Sequence, residues 1–208
     1  ECTALAMMDE IRRAGADIPM NKACQICVDA ASIALASRSV WALLRRSLLT
    51  LNWYRESNRR LSELLAEAER KGRVLYMKVS LLAQATLFDV IRTKTLELLD
   101  SVLFIEYLPK ALPRTAHEGI TDIVSFLEAK MDTLTCLPRS AREIAQFTAC
   151  NAIADGLLEH LLSPQVTAIN VLTLAALDLD CRRLMQYAHS TRVPSLNQCF
   201  AETHEIIQ

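Results

Sequence analysis

Two cysteines one helical turn apart, Cys24-Gln-Ile-Cys27, are the first candidates for chemistry. As a redox pair they would need a preceding strand and a thiolate at a helix terminus. As half of a zinc site they would need a second close pair of ligands. Cys2, Cys136, Cys150, Cys181 and Cys199 sit singly, and no close histidine pair follows. The plainer reading is two small apolar side chains on one face of a buried helix. A helical metal protein or enzyme using Cys24, Cys27 and a distant Cys or His is the alternative.

The histidines come close to a metal motif and miss it. His204-Glu205-Ile-Ile-Gln208 and His117-Glu118-Gly-Ile-Thr121 both lack the second histidine. One helix face holds zinc only with ligands at i and i+4. His160 and His189 fall on separate expected helices, with no neighbour that makes either a base. There is no G-x-S-x-G, P-loop or G-x-G-x-x-G. Carboxylates lie beside Arg or Lys on solvated faces, as in Glu67/Lys71, where such pairs only support a helix. Arg45-Arg46 and Arg59-Arg60 are basic doublets without aromatic interleaving. No catalytic residue, metal or cofactor is assigned, and the chain is expected not to be an enzyme.

The elements that position these residues are helical. The chain has 208 residues, about half of them hydrophobic, with four glycines and six prolines. Abundant Ala, Leu, Glu and Arg with few turn dipeptides favour an all-α fold. The net charge of −1 gives no case for nucleic acid. The uncharged run 163–177 falls short of the roughly 20 apolar residues of a membrane span. Scattered, odd-numbered cysteines in a helical chain read as reduced core residues and point to an intracellular setting. The chain begins with Glu1, so it reads as a fragment in which a signal peptide would be invisible.

Punctuation and periodicity place the helices. Asp9–Arg13 ends near Gly15, and Asp17-Ile-Pro19 opens a helix over 21–50. Trp41, Leu44 and Leu48 continue its spacing or start a further helix. Lys71-Gly72-Arg73 reads as a C-terminal stop. Residues 50–73 are the most polar and the best place for an interruption. From Val74 to Leu108 apolar residues recur at three- and four-residue steps until Pro109 and Pro113. Thr115–Glu118, Ser140–Glu143 and Ser195–Gln198 fit capping boxes, and Ser163-Pro164 fits a cap with proline in the first turn. These give helices near 115–135, 139–162, 164–176, 178–190 and 195–208. Two segments follow, 1–113 and 114–208.

Within 120–194 the order and spacing become specific. Asp122-Ile-Val-Ser-Phe126-Leu127 is followed by Leu137-Pro138, Ala149-Cys150, Ala154, Leu157 and Leu161. Leu179-Asp180, Gln186-Tyr187-Ala188 and Val193-Pro194 then close the pattern. This stretch resembles the carboxy-terminal helical region of the Sec-fifteen subunit of the exocyst, a vesicle-tethering complex. The resemblance is weaker over about 80–110 and only helical before that.

The resemblance implies an elongated rod of stacked antiparallel helical bundles, as in multisubunit tethering complexes. It implies a non-enzymatic subunit, cytoplasmic and peripheral at secretory vesicles and the plasma membrane, that tethers vesicles before fusion. The implied partners are other exocyst subunits, a Sec-ten type first among them, and a Rab-family GTPase in its GTP form. A scaffold subunit of another tethering complex shares the same architecture. In the family an asparagine commonly precedes the Leu-Asp pair, in the vicinity credited with GTPase contact. Here Asp178 stands there, able to cap a helix but adding a charge and lacking the amide donor. Helical spacing puts Leu177, Cys181, Leu184 and Ala188 on a core face. Asp178, Arg182, Met185 and His189 then share an exposed face, which reads as a GTPase surface or as a solvated Asp178–Arg182 pair.

Overall fold

The computed structural model describes residues 2–15, 18–50, 55–102, 108–164 and 166–207. Its regular elements are α1 (Cys2–Ala14), α2 (Met20–Thr50), α3 (Arg55–Val102), α4 (Glu118–Thr133), α5 (Arg139–Leu161), α6 (Val171–Ser190) and α7 (Ala201–Ile207), with 3₁₀ turns at Leu134–Cys136 and Leu196–Phe200. Among the described residues there is no strand, and the chain is all-α. It forms two compact units, 1–87 and 88–208.

In the first unit α1 ends as expected at Gly15, whose φ of +50° suits a residue without a Cβ. Pro19 stands just before α2, its carbonyl accepting from the amides of Lys22 and Ala23. Asp17, the other half of that expected entry, lies outside the described residues. Ala4, Ala30 and Val79 bury completely, with Met7, Met8, Leu75 and Tyr76 packed around them. Cys24 and Cys27 are buried on α2 beside Ala23 and Ile26. Lys22 pairs with Glu10 at 2.6 Å and Arg45 with Glu69 at 3.5 Å.

Two expectations fail here. Lys71-Gly72-Arg73 does not stop a helix, because α3 runs through it. A lone glycine costs a helix only about 1 kcal/mol relative to alanine, and good helix formers flank it. A Cβ at Gly72 would meet nothing, so no close packing demands the residue either. Helices also exist that are long and apolar enough to cross a membrane, within Met20–Ser47 and Arg59–Asp100. Counting uncharged runs hid them, since each span interleaves isolated charges with apolar stretches. Length and composition alone give this result, and an amphipathic helix that packs on protein meets it equally well.

In the second unit the last turns of α3 bury Val90, Ile91 and Leu99. Thr95 is buried too, its hydroxyl donating to the Ile91 carbonyl at 2.8 Å. α4 contributes Ile120, Ile123, Val124 and Leu127. On α5 the buried face carries Ala141, Ala145 and Ala149 at four-residue spacing, then Ile153 and Leu157. Such small side chains let helices approach closely. At Gly156 a Cβ would overlap Leu99 Cδ2, so the glycine is a condition of the α3–α5 contact. Leu196 and Phe200 of the second 3₁₀ turn close the core.

The helix starts differ from the capping boxes. α4 is capped by the His117 ring, whose Nδ1 accepts from the Gly119 amide at 3.1 Å. α5 begins after Pro138, which leaves Ser140 inside the first turn. Ser195 sits at φ 61° and makes no side-chain cap. In each case the box residue is present but the chain turns elsewhere. The helices expected at 164–176 and 178–190 are one helix, α6, preceded by non-helical 166–170. Its cap is Asn170, whose side-chain oxygen accepts from the Thr173 amide at 2.9 Å and hydroxyl at 3.0 Å. The same side chain donates to the Pro109 carbonyl at 3.1 Å, a second anchor for the start of α6.

Candidate partner-binding surface

α6 is the element on which the expected site residues meet. Its core face is as the spacing indicates: Leu177, Cys181, Leu184 and Ala188 are all buried. Leu177 and Cys181 pack with Ile207 of α7 and Leu161 of α5. Burying such side chains stabilises by about 1.5–3 kcal/mol each, which fixes the rotation of the helix. Arg182 and His189 are exposed, and Asp178 and Met185 half-buried, on the neighbouring face.

Asp178 is not a cap. It lies inside α6, two turns from Asn170, so its backbone is already part of the helix. Its carboxylate Oδ2 meets the Arg182 guanidinium at 2.8 Å. Oδ1 lies 3.4 Å from Nε2 of His204, which α7 brings against α6. The expected Asp178–Arg182 pair is therefore present, and His204 joins it. Met185 passes its carbonyl to His189, whose Nδ1 stands 2.7 Å away at the C-terminal end of the helix. The four residues form one stripe, with an ion pair at its start and an imidazole at its end.

Asp180, two residues along, does something the spacing did not assign to it. It is buried, and its Oδ1 accepts from the His117 amide at 2.6 Å, just ahead of α4. Burial raises its pKa above the ordinary carboxylate value; the His117 hydrogen bond and charge pull the other way and lose. The signal was available, because Asp180 lies at i+3 from Leu177 and i−4 from Leu184, on the core face. A carboxylate there must find a donor.

The thiols are placed for packing. Burial, then the Asp180 and Asp178 carboxylates, push Cys181 up to about 12. Burial raises Cys150 as well, with Cys199 adding to it. A thiol held protonated is a poor nucleophile and ligand. Among the described residues no group of three or more His, Cys, Asp or Glu side chains gathers as a metal would require.

The fold and this surface define a helical module that presents a packed, capped helix outward. The family is then given by comparison. The family described as Exocyst complex subunit Sec15 C-terminal matches residues 16–208, and the chain belongs to it. Among curated proteins it is 27% identical over 93 residues to Exocyst complex component 6B of Mus musculus and of Homo sapiens, 45% of this chain and 12% of each relative. It is 25% identical over 126 residues to Exocyst complex component 6 of Caenorhabditis elegans, 57% of this chain and 15% of that protein. The matched stretch thus spans about an eighth of the mammalian relatives. No solved structure matches the chain.

Proposed function

We propose that the chain is part of a non-enzymatic exocyst subunit that tethers secretory vesicles to the plasma membrane through protein–protein contacts. Membership of the Sec15 carboxy-terminal family supports this reading most directly. The surface supports it as well: Leu35, Leu43, Leu64, Met77 and Leu81 of α2 and α3 are each at least 60% exposed. Where such side chains form a contiguous patch, they mark surfaces that meet other proteins. Other exocyst subunits, a Sec-ten type among them, are the partners this reading calls for. The protein would then be cytoplasmic and peripheral at vesicles and the plasma membrane. Co-purification of a tagged chain with exocyst subunits tests membership in the complex; recovery of none of them would remove it.

We further propose the α6 stripe Asp178, Arg182, Met185 and His189 as the surface for a Rab-family GTPase in its GTP form. The observation that carries it is the rotation of α6, which turns Arg182 and His189 to solvent while the opposite face is locked into the core. Met185 adds an adaptable apolar contact between them. A panel of Rab proteins loaded with GTP or GDP, passed over immobilised chain, tests it. Binding of the GTP forms that Arg182→Glu abolishes is the expected result, and no binding across the panel sinks it.

A further inference from the structure

Unit 1–87 carries a groove between α2 and α3. The two helices are joined at Ala30 and Val79, buried together, and again through Arg45 and Glu69. Between these points lies a cavity of about 850 Å³, within the roughly 300–1,000 Å³ of ligand-binding clefts. Ile33, Val40, Trp41, Leu44, Val74 and Leu75 give it an apolar lining. Val40, Leu44 and Val74 are exposed, while Ile33, Trp41 and Leu75 are half-buried. The small residues Ala36, Ser37, Ala68 and Gly72 line it too. The Ser37 hydroxyl already donates to the Ala34 carbonyl at 2.8 Å and makes no polar demand on an occupant. A Cβ on Gly72 would meet nothing within 4 Å, so there is open space above α3 at that point.

The walls decide the backbone of the occupant. Every lining residue lies within a helix, where amides and carbonyls bond internally. No unpaired edge is offered to an extended strand, so an incoming peptide must satisfy its own backbone, as a helix does. Small residues in the groove let a helix approach to about 8–10 Å between axes. Charge decides the occupant's flanks. The lining stretches 33–44 and 68–78 hold five Lys and Arg and one carboxylate, Glu69, which faces Arg45 at 3.5 Å. Glu67, just outside, serves both Arg70 and Lys71, at 2.7 and 3.5 Å. Arg38, Arg73 and Lys78 are exposed and have no carboxylate partner among the described residues. This cationic excess stands in a chain whose net charge is −1. The same groove on a second copy would bring like charges together. A bilayer surface is flat, whereas the apolar side chains here line a concavity.

We propose that the α2–α3 groove docks an amphipathic helix of a partner protein, its apolar face on Trp41 and Leu75 and acidic flanks toward Arg38, Arg73 and Lys78. The proposal rests on the reading of the chain as a subunit that works through protein contacts, and gives one such contact its chemistry. The probe is a labelled peptide of about 20 residues, long enough to be helical, with Leu at i, i+3, i+4 and i+7 and Glu on the flanks. A counterpart carries Lys in place of Glu. Fluorescence anisotropy should show saturable binding of the Glu peptide, about tenfold tighter than the Lys peptide and weaker at high salt. Gly72→Leu puts a side chain into the open space and improves helix propensity, so it should fold at least as well as the parent and still block binding. Lys78→Glu should narrow the preference for the Glu peptide. The change in tryptophan emission on binding should be lost in Trp41→Phe. Equal affinity for the two peptides, or parent affinity in Gly72→Leu, overturns the proposal. So does sedimentation of the chain with phosphatidylserine vesicles in place of any peptide binding. Exocyst subunits recovered with the tagged chain while neither peptide binds would overturn the groove alone and leave the reading it rests on standing.

Discussion

The carboxylate of Asp180 on α6 accepts from the backbone amide of His117 at 2.6 Å, across 63 residues of sequence. One side chain therefore ties the start of α4 to the middle of α6, while the His117 ring caps α4 from the other side. The location favours an acceptor, since a helix N-terminus carries partial positive charge. Burial nonetheless dominates and raises the pKa of Asp180. Between the unfolded carboxylate value of about 4 and the raised folded value, the folded state holds the proton more tightly than the unfolded state. Stability must fall as pH rises through that window. Asp180→Asn keeps an oxygen for the His117 amide and removes the titration. Urea midpoints measured from mildly acid to neutral pH should show a flatter profile for the variant than for the parent. Asp180→Ala should lose about 1–3 kcal/mol at neutral pH, the cost of a buried donor left unmade. Parallel profiles for parent and Asp180→Asn would show that Asp180 titrates normally.

Much of this arrangement is legible in the sequence, and the parts that are not have a common cause. Three- and four-residue spacing gives the rotation of α6 correctly, down to the burial of Leu177, Cys181, Leu184 and Ala188. It gives the Asp178–Arg182 pair too, since that is a local i,i+4 relation. It misplaces the start of α6, because Ser163-Pro164 is the better local cap. The chain instead uses Asn170, whose amide also reaches Pro109. The capping boxes fail for the same reason: a box is a local preference worth about 1 kcal/mol, which tertiary contacts outweigh. Asp180 appears in the pattern that carries the resemblance, but its role depends on the His117 amide, 63 residues away, which is not a short-range relation.

The α3–α5 contact gives a second prediction. Gly156 faces Leu99 so closely that a Cβ would overlap Cδ2. Leu99 is buried at 2% exposure and has little room to yield. Gly156→Ala should therefore destabilise by about 1–3 kcal/mol through overpacking, less the ~1 kcal/mol by which alanine is the better helix former. In a Leu99→Ala background the clash disappears, and the same substitution should become neutral or stabilising. A double-mutant cycle by chemical denaturation reads the coupling directly. Additive effects would show that the two helices do not meet there.

Thiol reactivity separates buried cysteines from exposed ones. Cys181 is pushed up to about 12, and burial raises Cys150 in the same direction. Both side chains are at most 1% exposed, whereas Cys136 is exposed. Brief alkylation of native protein, read by peptide mass spectrometry, should modify Cys136 and spare Cys150 and Cys181. In denaturant all three should react alike. Fast native modification of Cys181 would mean that α7 opens away from α6.

Asp178 is where the resemblance and the structure can be set against each other. The resemblance leads to the expectation of asparagine at this position, and here the carboxylate is engaged by Arg182 at 2.8 Å and approached by His204 at 3.4 Å. Arg182 is well exposed, so the pair is worth little; exposed i,i+4 pairs contribute about 0.3–0.5 kcal/mol. Asp178→Asn should therefore leave stability within about 0.5 kcal/mol. Its effect on recognition should be larger, because it releases the Arg182 guanidinium and supplies an amide donor beside it. If the α6 stripe meets a Rab GTPase, the variant should change the set of GTP-loaded Rab proteins retained on immobilised chain. Arg182→Glu on that background should abolish retention. An unchanged panel for both variants, with stability unaltered, would place the GTPase surface elsewhere on the molecule.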